Sequence, residues 1–292
     1  MNIKFNFYDI YGFALPGFLL LAVLWLPFGL IEHNWPDVEF SSALVGVIFA
    51  YFTGLILYFV ANFTLPSDLY GGRFPSSALL DRADKTFTER VKERLAKQIH
   101  TLFGLDVSID MPPDAADNIR KEVDRQRNDA FFLCRSALIK SKTVAYAEQF
   151  EGLYAMMRSL SAAFAVAVVY YLGWAFSNLW PTPWSGAVVL LGIVGALITF
   201  LTGKRSKATR RVIAACLLGA AFASGHYLGQ SIVGTSEHRN ILLAAAVFSF
   251  FACERSYAGY KTFAVEFVKA VYRDFINYEK ANGGGNANLT SM

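Results

Sequence analysis

Apolar positions along the chain are gathered into long blocks, and the polar stretches between them carry helical periodicity, so the pattern predicts an all-α protein. A helix needs about 20 mostly apolar residues to cross a hydrocarbon layer roughly 30 Å thick, because each residue rises only about 1.5 Å. Blocks over 10–31 and 41–63 meet that requirement, the first interrupted only by Pro16 and Pro27. A charged stretch then runs to Arg158 before any further block is long enough. Four more spans are predicted over 160–176, 184–201, 212–233 and 241–256, with five spans and a re-entrant or interfacial last segment as the alternative. The last is short in purely apolar residues, but Tyr257, Ala258 and Tyr260 continue its apolar side past Glu254 and Arg255, which mark its inner end. Trp174, Trp180 and Trp184 surround the connection between spans three and four, where aromatic rings favour a membrane surface.

The chain therefore divides into an N-terminal transmembrane hairpin (1–63), a cytoplasmic helical insert (64–158), a C-terminal transmembrane region (159–256), an amphipathic helix (257–280) and a disordered tail (281–292) rich in Gly and Asn. In the insert, Thr86 to Glu89 has the capping-box spacing. Phe87, Val91, Leu95, Ile99 and Leu102 follow on one helical face, and Gly104 stops the run. A brief extended piece is expected at 107–109, and Pro112 and Pro113 interrupt the helices. A second helix starts near Asp114 and Asp117 and carries the stripe Ile119, Val123, Ala130, Cys134, Ala137 and Leu138. A third begins at Val144 and runs through Phe150, Tyr154 and Met157 into span three. After span six, Tyr260, Ala264, Phe267, Val271, Phe275 and Tyr278 share one apolar face. Phe267, Val271 and Phe275 are its candidate anchors for docking on the insert, in the same or a neighbouring chain.

Composition sharpens this picture. With 54% hydrophobic and only 17% charged residues, the chain lies outside the range of ordinary soluble domains. Cys134, Cys216 and Cys253 are odd in number and far apart, which argues against a secreted disulfide scaffold. The first block lacks a basic leader and a small-residue cleavage site, so it is expected to remain as a span. Lys and Arg are retained in cytoplasmic connectors. With both termini inside, the outer connectors 32–40, 177–183 and 234–240 contain Arg239 as their single base, while Lys204, Arg205, Lys207, Arg210 and Arg211 fall inside. Those five are candidate contacts for anionic lipid headgroups.

Chemistry is sparse. Phosphate-cradling glycine motifs, HExxH, paired CxxC and a GxSxG elbow do not occur, so no catalytic, cofactor-binding or metal-binding residues are assigned and no cofactor is expected. Acids and bases are mixed along the insert, which is unlike a nucleic-acid surface. His33, His100 and His238 stand apart from other ligand types. Ser224, His226 and Gln230 form a candidate intramembrane polar site, since polar groups in hydrocarbon need partners. Gly219, Ala221, Ala223, Gly225 and Gly229, with Gly192 and Ala196, offer small-xxx-small spacings for close helix packing, within one chain or between chains.

Tyr8 to Gly17, Phe150 to Leu160 and Tyr257 to Phe275 together resemble a loose group of uncharacterised bacterial multi-pass membrane proteins. The resemblance implies a bacterial inner-membrane location and carries no functional residue across. The expected function is that of a non-enzymatic effector, sensor or scaffold acting through the cytoplasmic helical parts. Its partners would be the bilayer, anionic lipids, and either another copy of the chain or a cytoplasmic protein. The alternatives are a small channel or transporter with a polar path near His226, and a membrane enzyme acting on lipid or lipid-linked substrates, which lacks a recognisable nucleophile, acid pair or metal cluster.

Overall fold

A computed structural model describes residues 9–33, 40–65, 69, 73–111, 116–141, 145–177, 207–229 and 236–282. The regular elements among them are helices. They are a π-helical turn Ile10–Ala14 followed by α1 (Leu15–Glu32), α2 (Phe40–Thr64), the short α3 (Pro75–Ala78), α4 (Glu89–Phe103), α5 (Asp117–Lys140), α6 (Ala145–Ala175), α7 (Lys207–Gly229) and α8 (Ser236–Asn282). Among the described residues, five segments are long and apolar enough to cross a membrane: Ile10–Ile31, Ala43–Thr64, Ala147–Ala175, Arg211–Gly229 and Glu237–Tyr278. The span predicted over 184–201, with Gly192 and Ala196, lies outside the described residues.

Two compact units are formed, one by Met1–Pro66 with Gly152–Tyr260 and the other by Ser67–Glu151 with Lys261–Met292. In the first unit the two prolines of α1 explain its irregularities. Pro16 has no N–H to give the Gly12 carbonyl, and the helix enters through wide π turns in which the Leu15 N–H bonds the Ile10 carbonyl. Pro27 likewise strips the Val23 carbonyl of its helical partner, and the Tyr171 hydroxyl donates to that oxygen at 2.9 Å. The neighbouring Tyr170 hydroxyl donates to the Leu24 carbonyl at 3.1 Å. A backbone acceptor freed in an apolar setting is thus satisfied by a side chain from α6.

Glycines set the helix spacing. A Cβ on Gly17 would lie 1.8 Å from the Ala50 carbonyl oxygen, and one on Gly54 would lie 1.8 Å from that of Phe13, so α2 crosses the start of α1 backbone to backbone. On α7, Gly225 faces the Tyr170 carbonyl on α6 and Gly229 faces Ser177 just past the end of α6, whereas Gly219 faces open space. The small residues at 225 and 229 therefore serve packing within one chain. Leu44, Ile48, Phe52, Ile56 and Phe59 form an exposed row along α2, a face suited to lipid rather than water.

The second unit has its own core, in which Leu79, Leu95, Ile99, Cys134 and Leu138 meet Val271 and Phe275. Several expectations need correction here. Helix α4 starts at Glu89 with Thr88 as its N-cap, and no side chain caps it, so the Thr86–Glu89 capping box does not form. The Asp84 carboxylate accepts the Thr86 N–H at 2.8 Å and holds that residue in the preceding turn. Leu102 is exposed, and Phe103 points inward to stack on Phe275 at 5.8 Å. Ile119 is also exposed, although the stripe from Ala130 to Leu138 is inward. Gly104 ends α4 with φ of 66°, as its position suggests. Residues 107–109 are not a strand. Asp114 and Val144 lie outside the described residues. The predicted span 241–256 and amphipathic helix 257–280 belong to a single unbroken helix of 47 residues, which contains no proline to end it.

Candidate functional site

A buried arginine marks the most unusual site in the first unit. Tyr154 and Arg158 stand one turn apart on α6, and Tyr58 and Asn62 stand one turn apart on α2. Arg158 is 4% exposed. Its Cζ lies 4.8 Å from the Tyr58 ring centroid and 5.1 Å from that of Tyr154, within cation–π range of both. Tyr260 stacks on Tyr154 at 5.1 Å and closes the aromatic surround. Nη1 donates to Asn62 Oδ1 at 2.7 Å and to the Tyr154 hydroxyl at 3.3 Å. Nε meets no acceptor. Among the described residues the acceptors that Arg158 bonds are neutral. In the sequence Arg158 stands out only as the end of the charged stretch before span three. The two i,i+4 pairs of aromatic and polar residues at the ends of adjacent apolar helices were the available signal.

Of the predicted polar site, Ser224 and His226 lie on different sides of α7. The Ser224 hydroxyl donates to the Ala220 carbonyl of its own helix at 2.8 Å. Two residues on, His226 points to the other side of α7, where it is 5% exposed, stacks on Phe222 at 6.3 Å and leaves Nδ1 without a partner. Gln230 lies outside the described residues. Elsewhere in this unit an apolar groove of about 370 Å³ is walled by Leu19, Leu26, Phe164, Tyr171, Phe248 and neighbours, and its lining offers van der Waals contact almost exclusively.

In the second unit, charges form a network between distant segments. Arg73 grips Asp124 through Nε at 3.0 Å and Nη2 at 2.7 Å, and its Nη1 reaches Asp81 at 2.9 Å. Arg127, wholly buried, holds Asp81 at 3.1 Å and donates to the Ser108 carbonyl at 2.8 Å. Burial opposes ionisation of Asp81, but the Ala83 N–H, Arg73 and Arg127 outweigh it and hold the carboxyl below the usual aspartate value. Lys92 bonds the Asp81 and Asp84 carbonyls, and burial pulls its ammonium below the usual lysine value. These groups tie the turn 73–84 to α4 and α5 and face inward, which suits a structural clamp.

The docking residues fall in the same unit. Val271 and Phe275 are wholly buried in its core, and Phe267 packs against the core with its ring edge to Phe131 at 5.7 Å. Of the basic connector, Lys204 and Arg205 and the side chains of Lys207 and Arg210 lie outside the described residues, and Arg211 is exposed. No cluster of three or more His, Cys, Asp or Glu able to hold a metal occurs among the described residues. Comparison with protein-family models, curated proteins and solved structures found no match.

Proposed function

We propose that the chain is a multi-pass protein of the bacterial inner membrane with six spans and both termini in the cytoplasm. In this reading it is a non-enzymatic effector, sensor or scaffold, whose cytoplasmic helical parts, residues 64–158 and 257–280, bind either another copy of the chain or a cytoplasmic protein. The scarcity of Lys and Arg in the outer connectors supports the orientation. The observation that carries the functional reading is the two-sided apolar character of α5. Ala130, Phe131, Cys134 and Leu138 fill the core, yet Phe132, Leu133 and Ile139 on the same helix remain exposed. A helix that packs its core with one side and keeps large apolar groups on the other has a surface fit for a partner.

Photocrosslinking in cells tests this. A photoreactive residue in place of Phe132 should give a discrete protein adduct, and one in place of Arg94 should not; no adduct from 132, 133 or 139 would overturn the binding role. The buried, unpartnered His226 Nδ1 favours the channel or transporter as the second reading. That reading requires solute flux in liposomes carrying the purified protein, with loss of the flux in His226→Ala.

A further inference from the structure

Arg158 is a charge removed from water with no counter-charge among the described residues. Neutral acceptors and ring faces return only part of the solvation an arginine gives up on burial. The second unit contains the comparison. There the Nε and Nη2 edge of Arg73, the edge whose parallel N–H groups match two oxygens of one anion, is filled by the Asp124 carboxylate. In Arg158 the Nη1 side is used by Asn62 and Tyr154, and Nε on the other edge has no acceptor. Tyr58 and Tyr154 hold the guanidinium by their ring faces, and of its in-plane donors Nε is left without an acceptor and is the one an oxyanion can take.

The height of the site indicates which oxyanion. Asn62 is exposed and lies two residues before α2 ends at Thr64, after a long apolar run that includes the exposed Phe52, Ile56 and Phe59. An arginine at the end of a membrane helix meets the layer of headgroup phosphates. Tyrosine hydroxyls and the Asn62 amide add neutral donors that a phosphate can use. We propose that Arg158, framed by Tyr58, Asn62 and Tyr154, binds a phosphate group through its Nε edge. The group is carried by a lipid headgroup or by free phosphate; Nε is itself buried, so binding requires the exposed Asn62 side chain to move aside. The inference rests on the membrane reading of α2 and α6 and is independent of which side their ends face.

The experiment uses the full chain in nanodiscs of phosphatidylcholine alone or with phosphatidylglycerol, with and without inorganic phosphate. Retained lipid is read by native mass spectrometry, and the Arg158 guanidinium by ¹⁵N resonance. Incorporation into the discs tests the membrane reading separately. A downfield-shifted Nε with phosphatidylglycerol alone identifies the headgroup; the same shift with inorganic phosphate in neutral discs identifies the free anion. Arg158→Gln should weaken either interaction at least about tenfold, the share of a charge-assisted bond. Arg158→Lys, which keeps the charge and lacks the fork, should recover only part of it. Replacing Lys204, Arg205, Lys207, Arg210 and Arg211 by Gln should lower general lipid retention and leave the Nε shift in place. An Nε resonance indifferent to both probes in the wild-type protein overturns the proposal, whether or not the Gln variant folds.

Discussion

Truncating Phe275 to alanine should open the second unit while leaving the membrane helices inserted. The ring is wholly buried, lies 5.8 Å from Phe103 with the two planes only 20° apart, and sits in the core with Leu95, Ile99 and Val271. Removing such a ring costs about 3 to 5 kcal/mol, including the cavity it leaves. That is a large share of the roughly 5 to 15 kcal/mol by which domains are stable. The backbone contribution survives, because the Gln98 amide donates to the Phe275 carbonyl at 2.8 Å irrespective of the side chain. The opening equilibrium should therefore rise by roughly two to three and a half powers of ten. Subtilisin cleavage of the reconstituted full-length protein reads this directly at the irregular stretch after Gly104, where Asp106, Ser108 and Asp110 are exposed. Under conditions where cleavage follows the open population, its rate should scale with that equilibrium. Phe267→Ala, with a half-buried ring, should fall between wild type and Phe275→Ala, and Phe132→Ala, exposed at 51%, should stay within about 0.5 kcal/mol of wild type. If Phe132→Ala were cleaved as fast as Phe275→Ala, or Phe275→Ala no faster than wild type, the assignment of this core would be wrong.

Two further outcomes follow from local geometry. Gly54→Ala would put a methyl 1.8 Å from the Phe13 carbonyl oxygen and should cost about 1 to 3 kcal/mol in thermal unfolding in detergent, whereas Gly46→Ala, with nothing within 4 Å, should be neutral or mildly stabilising. Because the Asp81 carboxyl is held below its ordinary value in the folded protein, its contribution is present above the unfolded aspartate pKa of about 3.9 and is lost as pH falls through the lower folded value. Asp81→Asn should thus destabilise the second unit at neutral pH and flatten its acid-unfolding curve; an unchanged curve would remove Asp81 from the network's energetics.

The sequence made the first two long apolar helices legible, since an apolar block of about 22 residues has few alternatives to a helix long enough to span. The Tyr171 bond that repairs the backbone at Pro27 was hidden, because Tyr171 lies 148 residues from its acceptor, Val23. Periodicity located the face of α4 but failed at its end, where Leu102 and Phe103 are adjacent and tertiary packing against Phe275 decides which turns inward. The capping box failed for a similar reason: the local pattern at Thr86 was right, and the Asp84 carboxylate claimed its N–H first. The network of Arg73, Asp81, Asp124 and Arg127 joins residues up to 51 apart, so no spacing rule reveals it. Arg158 was visible as a charge and not as a site, because its significance depends on Tyr58 and Asn62 from another helix.

The central claim, a helical protein threaded through the inner membrane with its charged helical part in the cytoplasm, is tested most directly by reporter fusions along the chain. Alkaline phosphatase should be active after Phe40, Trp180 and Glu237, and a fluorescent reporter should be bright after Gly104, Lys207 and Tyr278. A cytoplasmic Glu237 with a periplasmic Tyr278 would replace six spans by five. A phosphatase-active fusion after Gly104 would place the charged part outside and contradict the account.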